Sequence, residues 1–223
     1  MSKKIPFLLI SATIFLVFVI FSNYVARERF TQLDFDLTTK FQDHISRKFD
    51  LPFTILSLVG SAEITGIIWL TLTIFIFLKR HWMAFFALSL FWIGHIFELF
   101  GKTFVFHPAP PHLFYRGSVE FNFPSHYVQS AFSYPSGHMM RTSFLATFLF
   151  LYFYYKTGNS VKYPILAGLV VFILIMAISR IYLGEHWTSD VIGGTLLGIS
   201  LGIFSAIWLL PKQTKSKEQP QPA

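Results

Sequence analysis

The chain is 223 residues long, 53% hydrophobic and only 13% charged, whereas soluble domains average roughly 25% charged residues. This excludes an ordinary water-soluble domain and leaves an integral membrane protein, one domain with short tails. Eighteen basic against eleven acidic residues give a net charge of +7; scattered over loop ends, it suits membrane orientation and anionic head groups, with no sign of a nucleic-acid partner. Cysteine is absent, so disulfides, thiolate metal sites and a cysteine nucleophile are excluded together.

A spanning helix needs about 20 predominantly apolar residues, and six segments meet or approach that length: 5–25, 53–78, 83–106, 139–155, 163–183 and 189–210. The expected fold is therefore all-α, a six-transmembrane-helix bundle occupying residues 1–210. The first segment follows Lys3 and Lys4, but its apolar run exceeds the 7–15 residues of a signal-peptide core and no small-residue cleavage site follows, so it reads as a span. Between the first two spans, segment 26–52 carries Phe30, Leu33, Leu37, Phe41, Ile45 and Phe49 at spacings of three or four among balanced charges. That spacing predicts a helix lying in the membrane interface. Gly193, Gly194, Gly198 and Gly202 on the last span predict close helix packing. The tail 211–223, rich in Lys, Gln and Pro, reads as disordered.

With a cytoplasmic N-terminus, Lys3, Lys4, Lys79, Arg80, Lys156, Lys162, Lys212, Lys215 and Lys217 all lie inside, as the positive-inside rule asks. Six spans return the C-terminus to the cytoplasm. Parity then brings Lys102, His138 and Arg180 to one side, the extracytoplasmic one.

The chemistry of that side rests on a few residues. His186 and Asp190 are four apart at the start of the sixth span, so the carboxylate can lie one turn from the imidazole and fix its tautomer. An imidazole so oriented can attack phosphorus and form a phosphohistidine; an Asp that merely caps a helix beside an interfacial His reads equally well. Arg180, at the end of the fifth span, can hold phosphate oxygens in bidentate fashion or simply snorkel to the interface. Lys102 can do likewise or be a plain end-of-helix cation, and Glu98 and His95 continue a polar stripe behind it, one turn apart. In the turn Pro135-Ser136-Gly137-His138, Ser136 and Gly137 can present backbone N–H groups at a helix N-terminus, and His138 can protonate a departing alkoxide.

In this register the residues resemble the type 2 phosphatidic acid phosphatase superfamily, whose signature reads K-x6-RP, then PSGH, then SR-x5-H-x3-D. The second motif matches at Pro135–His138, the third in full at Ser179, Arg180, His186 and Asp190, and the six-span layout is similar over nearly the whole chain. The resemblance implies His186 as nucleophile, Asp190 as its partner, His138 as general acid, and Lys102, Arg180, Ser136 and Gly137 as phosphate ligands, without any metal. It implies a lipid phosphate monoester or diphosphate as substrate, of the phosphatidic acid, phosphatidylglycerophosphate or polyprenyl diphosphate class, hydrolysed in the membrane. A lipid phosphotransferase using the same intermediate and a non-catalytic lipid-phosphate binder or transporter are the alternatives. The haloperoxidases that share the constellation resemble soluble proteins, which this chain does not. A homodimer is compatible with the layout.

The first motif departs from the pattern, because six residues beyond Lys102 stand Ala109 and then Pro110, with no Arg. Arg141, three residues after His138, is the expected replacement, and Arg116 or His107 are the other candidates. Within the catalytic loop 103–138, the stretch from Phe106 to Tyr134 is rich in Pro, His and aromatics and reads as a lid over the head group. His126 in its FPSH run lacks the following Gly and reads as structural. His107 and His112 also suggest a metal site, but no carboxylate stands beside them in the loop.

Overall fold

Unpaired backbone groups are costly in lipid, so apolar runs resolve into helices. The computed structural model describes residues 4–119, 123–124, 130–156 and 159–209. Its helices are α1 (Lys4–Ala26), α2 (Thr31–His44), α3 (Asp50–Val59), α4 (Ala62–Leu78), α5 (Trp82–Phe104), α6 (Gly137–Lys156), α7 (Asn159–Tyr182) and α8 (Thr188–Leu209). His126 and the tail from Pro211 lie outside the described residues.

Among the described residues α1, α5, α7 and α8 are long and apolar enough to cross a membrane, and α3 with α4 forms a further, bent pair. The fold is thus an all-helical membrane bundle, with two differences from six straight spans. The run 53–78, expected as one helix, breaks at Gly60 and Ser61 and bends by 43°. There Gly60 caps α3, and the Ser61 hydroxyl caps α4 by accepting from the Ile64 N–H. The second difference is α6, whose first turns carry His138, Arg141, Thr142 and Ser143, with the last three buried. It packs between α5, α7 and α8, and that protein shield lets it be more polar than a lipid-facing helix.

The seam between α6 and α8 sets the geometry of everything at their N-terminal ends. A Cβ built on Gly198 would run into the Met140 carbonyl, with Ser143 Cβ at 2.8 Å, and one on Gly202 would meet Thr147 Cβ at 2.6 Å. Gly194 faces the Ser136 carbonyl and Met139 in the same way. Contacts that advance together along both helices show that they run parallel, so their N-termini share one end of the bundle. In lipid, such close backbone approach is itself a main source of association energy. Around the seam pack Ala87, Leu88, Phe91, Phe144, Phe148, Leu197 and Leu201, while Leu9, Leu16, Ile67, Leu99 and Phe104 stay exposed, as lipid-facing residues do.

Helix α2 forms where the interfacial helix was expected, with Phe30, Leu37, Phe41 and Ile45 of the apolar stripe partly buried and Phe30 and Phe41 packed against the core. Leu33 and Phe35 are exposed, whereas Asp34 and Thr38 are buried. The reason is polar: Asp34 Oδ1 and Oδ2 accept hydrogen bonds from the Ser189 N–H (2.8 Å) and hydroxyl (2.6 Å). Further along, Gln42 Nε2 donates to the Phe114 and Tyr182 carbonyls at 2.6 and 2.9 Å. Pairing of buried polar groups, each expensive if left alone, thus joins the apolar stripe in holding α2 to the bundle.

Candidate active site

Four helix ends meet at one end of the bundle: the C-termini of α5 and α7, with Lys102 and Arg180, and the N-termini of α6 and α8, with His138 and Asp190. The turn from α7 to α8 carries His186. Gly184 in that turn has φ +67°, and a side chain there would collide with the Phe114 backbone, so glycine is required. The His186 N–H and the Glu185 N–H both return to the Arg180 carbonyl.

His186 Nδ1 stands 3.2 Å from Asp190 Oδ2, which also accepts from the Trp187 N–H at 3.0 Å. This leaves His186 Nε2 as the free ring nitrogen. Burial holds the His186 imidazole well below its usual proton affinity, and the Arg180 and Lys102 charges act in the same direction, opposed by Glu185 and Glu98. A ring kept neutral in this way has its lone pair available. The His138 ring faces it with centroids 6.5 Å apart, and Arg180, Arg141, His186 and Lys102 all lie within electrostatic range of His138.

The cations are each held by an acid or a bend. Arg180, 2% exposed, pairs with Glu185 and donates to the Ser57 hydroxyl on α3, while its Nε is buried without a hydrogen-bond partner. Lys102 Nζ lies 2.9 Å from Glu98 Oε1. Glu98 also takes Arg141 Nη1, 3.1 Å from Oε2, and the Arg141 Nε and Nη2 groups donate to the Gly60 carbonyl, each at 3.3 Å. The elbow between α3 and α4 thus touches both arginines and, through Gly60, packs on His138: a Cβ there would stand 2.9 Å from His138 Cδ2.

The PSGH turn has its own fixings. The Ser136 N–H donates to the Asp190 carbonyl at 3.0 Å and is not open to a ligand, contrary to the expectation that it would present itself to an anion. Its hydroxyl is buried without a partner. The N–H groups of Gly137, His138 and Met139 precede the first bond of α6, made by Met140 to the Ser136 carbonyl. Gly137 is needed for close approach, since a Cβ would press into Glu98 and sit 2.7 Å from Arg141 Nη1. Tyr134 is anchored on α1, its hydroxyl 2.8 Å from Ser22 Oγ.

Of the candidates for the missing Arg, Ala109 itself is exposed. Arg116 donates to the Gln42 carbonyl (2.9 Å) and lies over the Tyr182 ring, which places it behind the wall of the site. His107 is buried against Ser189. His112 packs instead on Tyr115, so His107 and His112 do not converge. His95 bonds the Phe91 carbonyl and sits among aromatics. Arg141 alone of the three reaches Glu98 and Gly137.

Several residues of the site were not singled out from the sequence: Asp34, Ser57, Gly60, Glu185 and Ser189. Glu185, one position before His186, stands close enough in the chain to have been read as a partner for Arg180. The others lie more than 80 residues from what they touch or carry no local pattern.

Comparison with known proteins places the PAP2 superfamily on residues 82–214, that is, α5 to α8 with the loop between α5 and α6. Phosphatidylglycerophosphatase B of Bacillus subtilis is 36% identical over 77 residues, 33% of this chain and 37% of that protein. Undecaprenyl-diphosphatase of Sulfolobus acidocaldarius is 38% identical over 74 residues, 33% of this chain and 32% of that protein. The matched stretch thus spans about a third of the length of these relatives. The fold is shared with a transmembrane PAP2 type phosphatidylglycerolphosphate phosphatase from Bacillus subtilis, TM-score 0.71 at 20% identity, covering 87% of this chain and 93% of that one. Aquifex aeolicus LpxE gives a TM-score of 0.57 at 26% identity, over 78% of this chain and 94% of the other.

Proposed function

The chain belongs to the PAP2 superfamily, and from that premise we propose that it is a membrane phosphatase acting on a lipid phosphate monoester or diphosphate. The observation that carries the reading is the pair of imidazoles side by side, one oriented by a buried carboxylate, with two buried polar atoms, Arg180 Nε and Ser136 Oγ, that have no hydrogen-bond partner among the described residues. Buried donors left open in this way are the exception in folded proteins and suit a ligand rich in oxygens. In this reading the phosphoryl group sits between the two rings, whose centroids are 6.5 Å apart.

In the proposed reaction His186 Nε2 attacks phosphorus, the N–P bond forms as the ester P–O bond breaks, and His138 delivers its proton to the departing oxygen. The developing charge on the phosphoryl oxygens rests on Arg180, Lys102, Arg141, the Ser136 hydroxyl and the first N–H groups of α6, and charge stabilisation of this kind is the largest catalytic contribution. Asp190 stabilises the cationic phosphohistidine. His138 then takes a proton from water, whose oxygen displaces His186, and phosphate leaves. No step calls on a metal.

The relatives point to phosphatidylglycerophosphate or a polyprenyl diphosphate as the substrate class, and phosphatidic acid is the third to assay. The site is assigned to the extracytoplasmic side, with both termini cytoplasmic, on the distribution of Lys and Arg. Phosphate release from the three lipids by wild type and by His186→Ala tests the reaction. Activity in wild type that is lost in the variant supports it; undiminished turnover in His186→Ala refutes the phosphohistidine, and lipid binding without phosphate release from any of them favours a binder. Phosphate recovered on an added alcohol would mark a transferase. Since the chain lacks cysteine, a single Cys at the exposed position 109 reports its side by impermeant thiol labelling.

A further inference from the structure

Behind the catalytic carboxylate lies a second buried network that the reaction above does not use. Asp34 of α2, His107 of the loop after α5, and Ser189 and Asp190 of α8 are all buried, none more than 4% exposed. The Ser189 hydroxyl donates to Asp34 Oδ2 at 2.6 Å and lies 2.9 Å from His107 Nε2. A hydroxyl has one hydrogen, so towards His107 it can only accept, and His107 Nε2 must carry a hydrogen. The same nitrogen is 3.5 Å from Asp190 Oδ1 and 3.6 Å from Asp34 Oδ2. Asp190 Oδ1 is the oxygen not bonded to His186; it is buried, the Ser133 hydroxyl bears on the carboxylate, and no well-formed hydrogen bond reaches Oδ1 among the described residues.

We propose that Asp34 and His107 are positioning residues that keep Asp190 charged and aimed at His186, tying the interfacial helix α2 to the catalytic carboxylate. This rests on the phosphatase reading of the site. His107 stands between two carboxylates that would otherwise repel each other, and presents its Nε2–H edge to both. Asp34, held by the Ser189 N–H and hydroxyl, draws the Ser189 hydrogen to itself and thereby fixes the hydroxyl as an acceptor for His107. The loop side of His107 is fixed as well, since the Ser133 N–H and hydroxyl both donate to its carbonyl at 3.0 Å and its ring meets Tyr134 edge to face. Burial lowers the proton affinity of His107, with the charges of Asp190 and Glu28 opposing it. Burial also raises the Asp34 carboxyl to about 6.

The charged and titratable groups bearing on Asp190 are Asp34 from α2, Lys102 from α5, His107 from the loop and His186 from the turn, with Glu28 and Tyr134 beyond His107. Removing the His107 ring takes away the imidazole N–H turned toward Asp190 Oδ1, leaves only the Ser133 hydroxyl on that side, and strengthens the carboxylate's hold on a proton. Neutralising Asp34 removes a like charge and weakens that hold. The two changes should therefore move the acid limb of the pH–rate profile in opposite directions.

The test uses the detergent-purified full chain and phosphate release from the best of the three lipids, as kcat and KM against pH. His107→Leu should lower kcat roughly 10-fold, the loss of a polar contact at 3.5 Å from the catalytic carboxylate, leave KM unchanged, and shift the acid limb to higher pH. His107→Gln, whose amide N–H reaches the place of Nε2–H, should restore most of kcat. Asp34→Asn should shift the acid limb to lower pH. Equal losses in Leu and Gln with no movement of the acid limb would mean that His107 only packs, and would overturn the proposal, as would a His107→Leu enzyme equal to wild type. Wild type that releases no phosphate overturns the phosphatase reading and this one with it; active wild type with an indifferent His107→Leu overturns only this one.

Discussion

Arg141→Ala is the perturbation that bears most directly on the incomplete first motif. In the folded chain Arg141 is 5% exposed and makes four hydrogen bonds, two to the Glu98 carboxylate and two to the Gly60 carbonyl. A guanidinium has five N–H groups, so at least one remains for a phosphate oxygen. Removing it strands a buried carboxylate, a change that costs about 3–5 kcal/mol when one partner of a buried pair is lost. Because Glu98 keeps Lys102 at 2.9 Å, the lower end is expected. Loss of a charged hydrogen bond to the substrate adds about 1.5–3 kcal/mol to the barrier, or roughly a 10- to 150-fold fall in kcat/KM. The two roles separate in a cycle assayed for both thermal unfolding and phosphate release. Arg141→Ala with Glu98→Gln should regain part of the stability, since no buried carboxylate is left short of a partner and Lys102, which loses its own, is partly exposed, but not activity. Ala109→Arg, which restores the family's cation on the exposed loop, should recover activity in the Arg141→Ala background. Undiminished kcat/KM in Arg141→Ala, or full activity in the Arg141→Ala, Glu98→Gln double variant, would refute the clamp and leave Arg141 a counter-ion.

Further outcomes follow from the same geometry. Gly60→Ala places a methyl 2.9 Å from His138 Cδ2, so kcat should fall by up to about 100-fold, as misplacement by an ångström can cause, with the melting temperature nearly kept; activity equal to wild type would show that His138 has room to move. Burial and the Arg180 charge favour neutral His186, so the folded state binds that proton less readily than the unfolded chain. Stability should therefore drop as pH falls through about 6.5. The drop should be smaller in His186→Gln, and unfolding midpoints that run parallel for the two proteins from about pH 8 to 5 would contradict it. Gly198→Leu drives a side chain into the Met140 carbonyl and Ser143, overpacking that costs about 1–3 kcal/mol or more. It should lower the melting temperature and the activity together, because the α6–α8 seam sets the distance between His138 and His186.

Much of the site is local in sequence, and that part was readable. His186 and Asp190 are one helical turn apart, so any helix beginning near Thr188 brings them together. The glycines of α8 predicted a close neighbour by their lack of side chains, though not that the neighbour is α6. Amphipathic spacing in 26–52 located α2 and most of its inward stripe but not the buried Asp34 beside it, because the spacing counts apolar residues and cannot see that Ser189, 155 residues away, offers two donors to Asp34. The break at Gly60 was likewise hidden in a run apolar enough to read as one helix.

Composition by itself determined that the chain lives in a membrane, since so few charges cannot clothe a soluble surface, and the motif register pointed to the family and to the residues proposed to react. Parity of the spans placed Lys102, His138 and Arg180 on one side. Only the tertiary structure decided which acid holds which cation: Glu98 with Lys102 and Arg141, and Glu185 with Arg180. Only it showed that Asp34 and His107 stand behind Asp190. The physical reason is one of range. Helix period and hydropathy act over neighbouring residues and leave their mark in the order of the chain, whereas the pairing of buried charges is settled by whichever partners the packed helices bring within about 4 Å, where low dielectric makes pairing decisive.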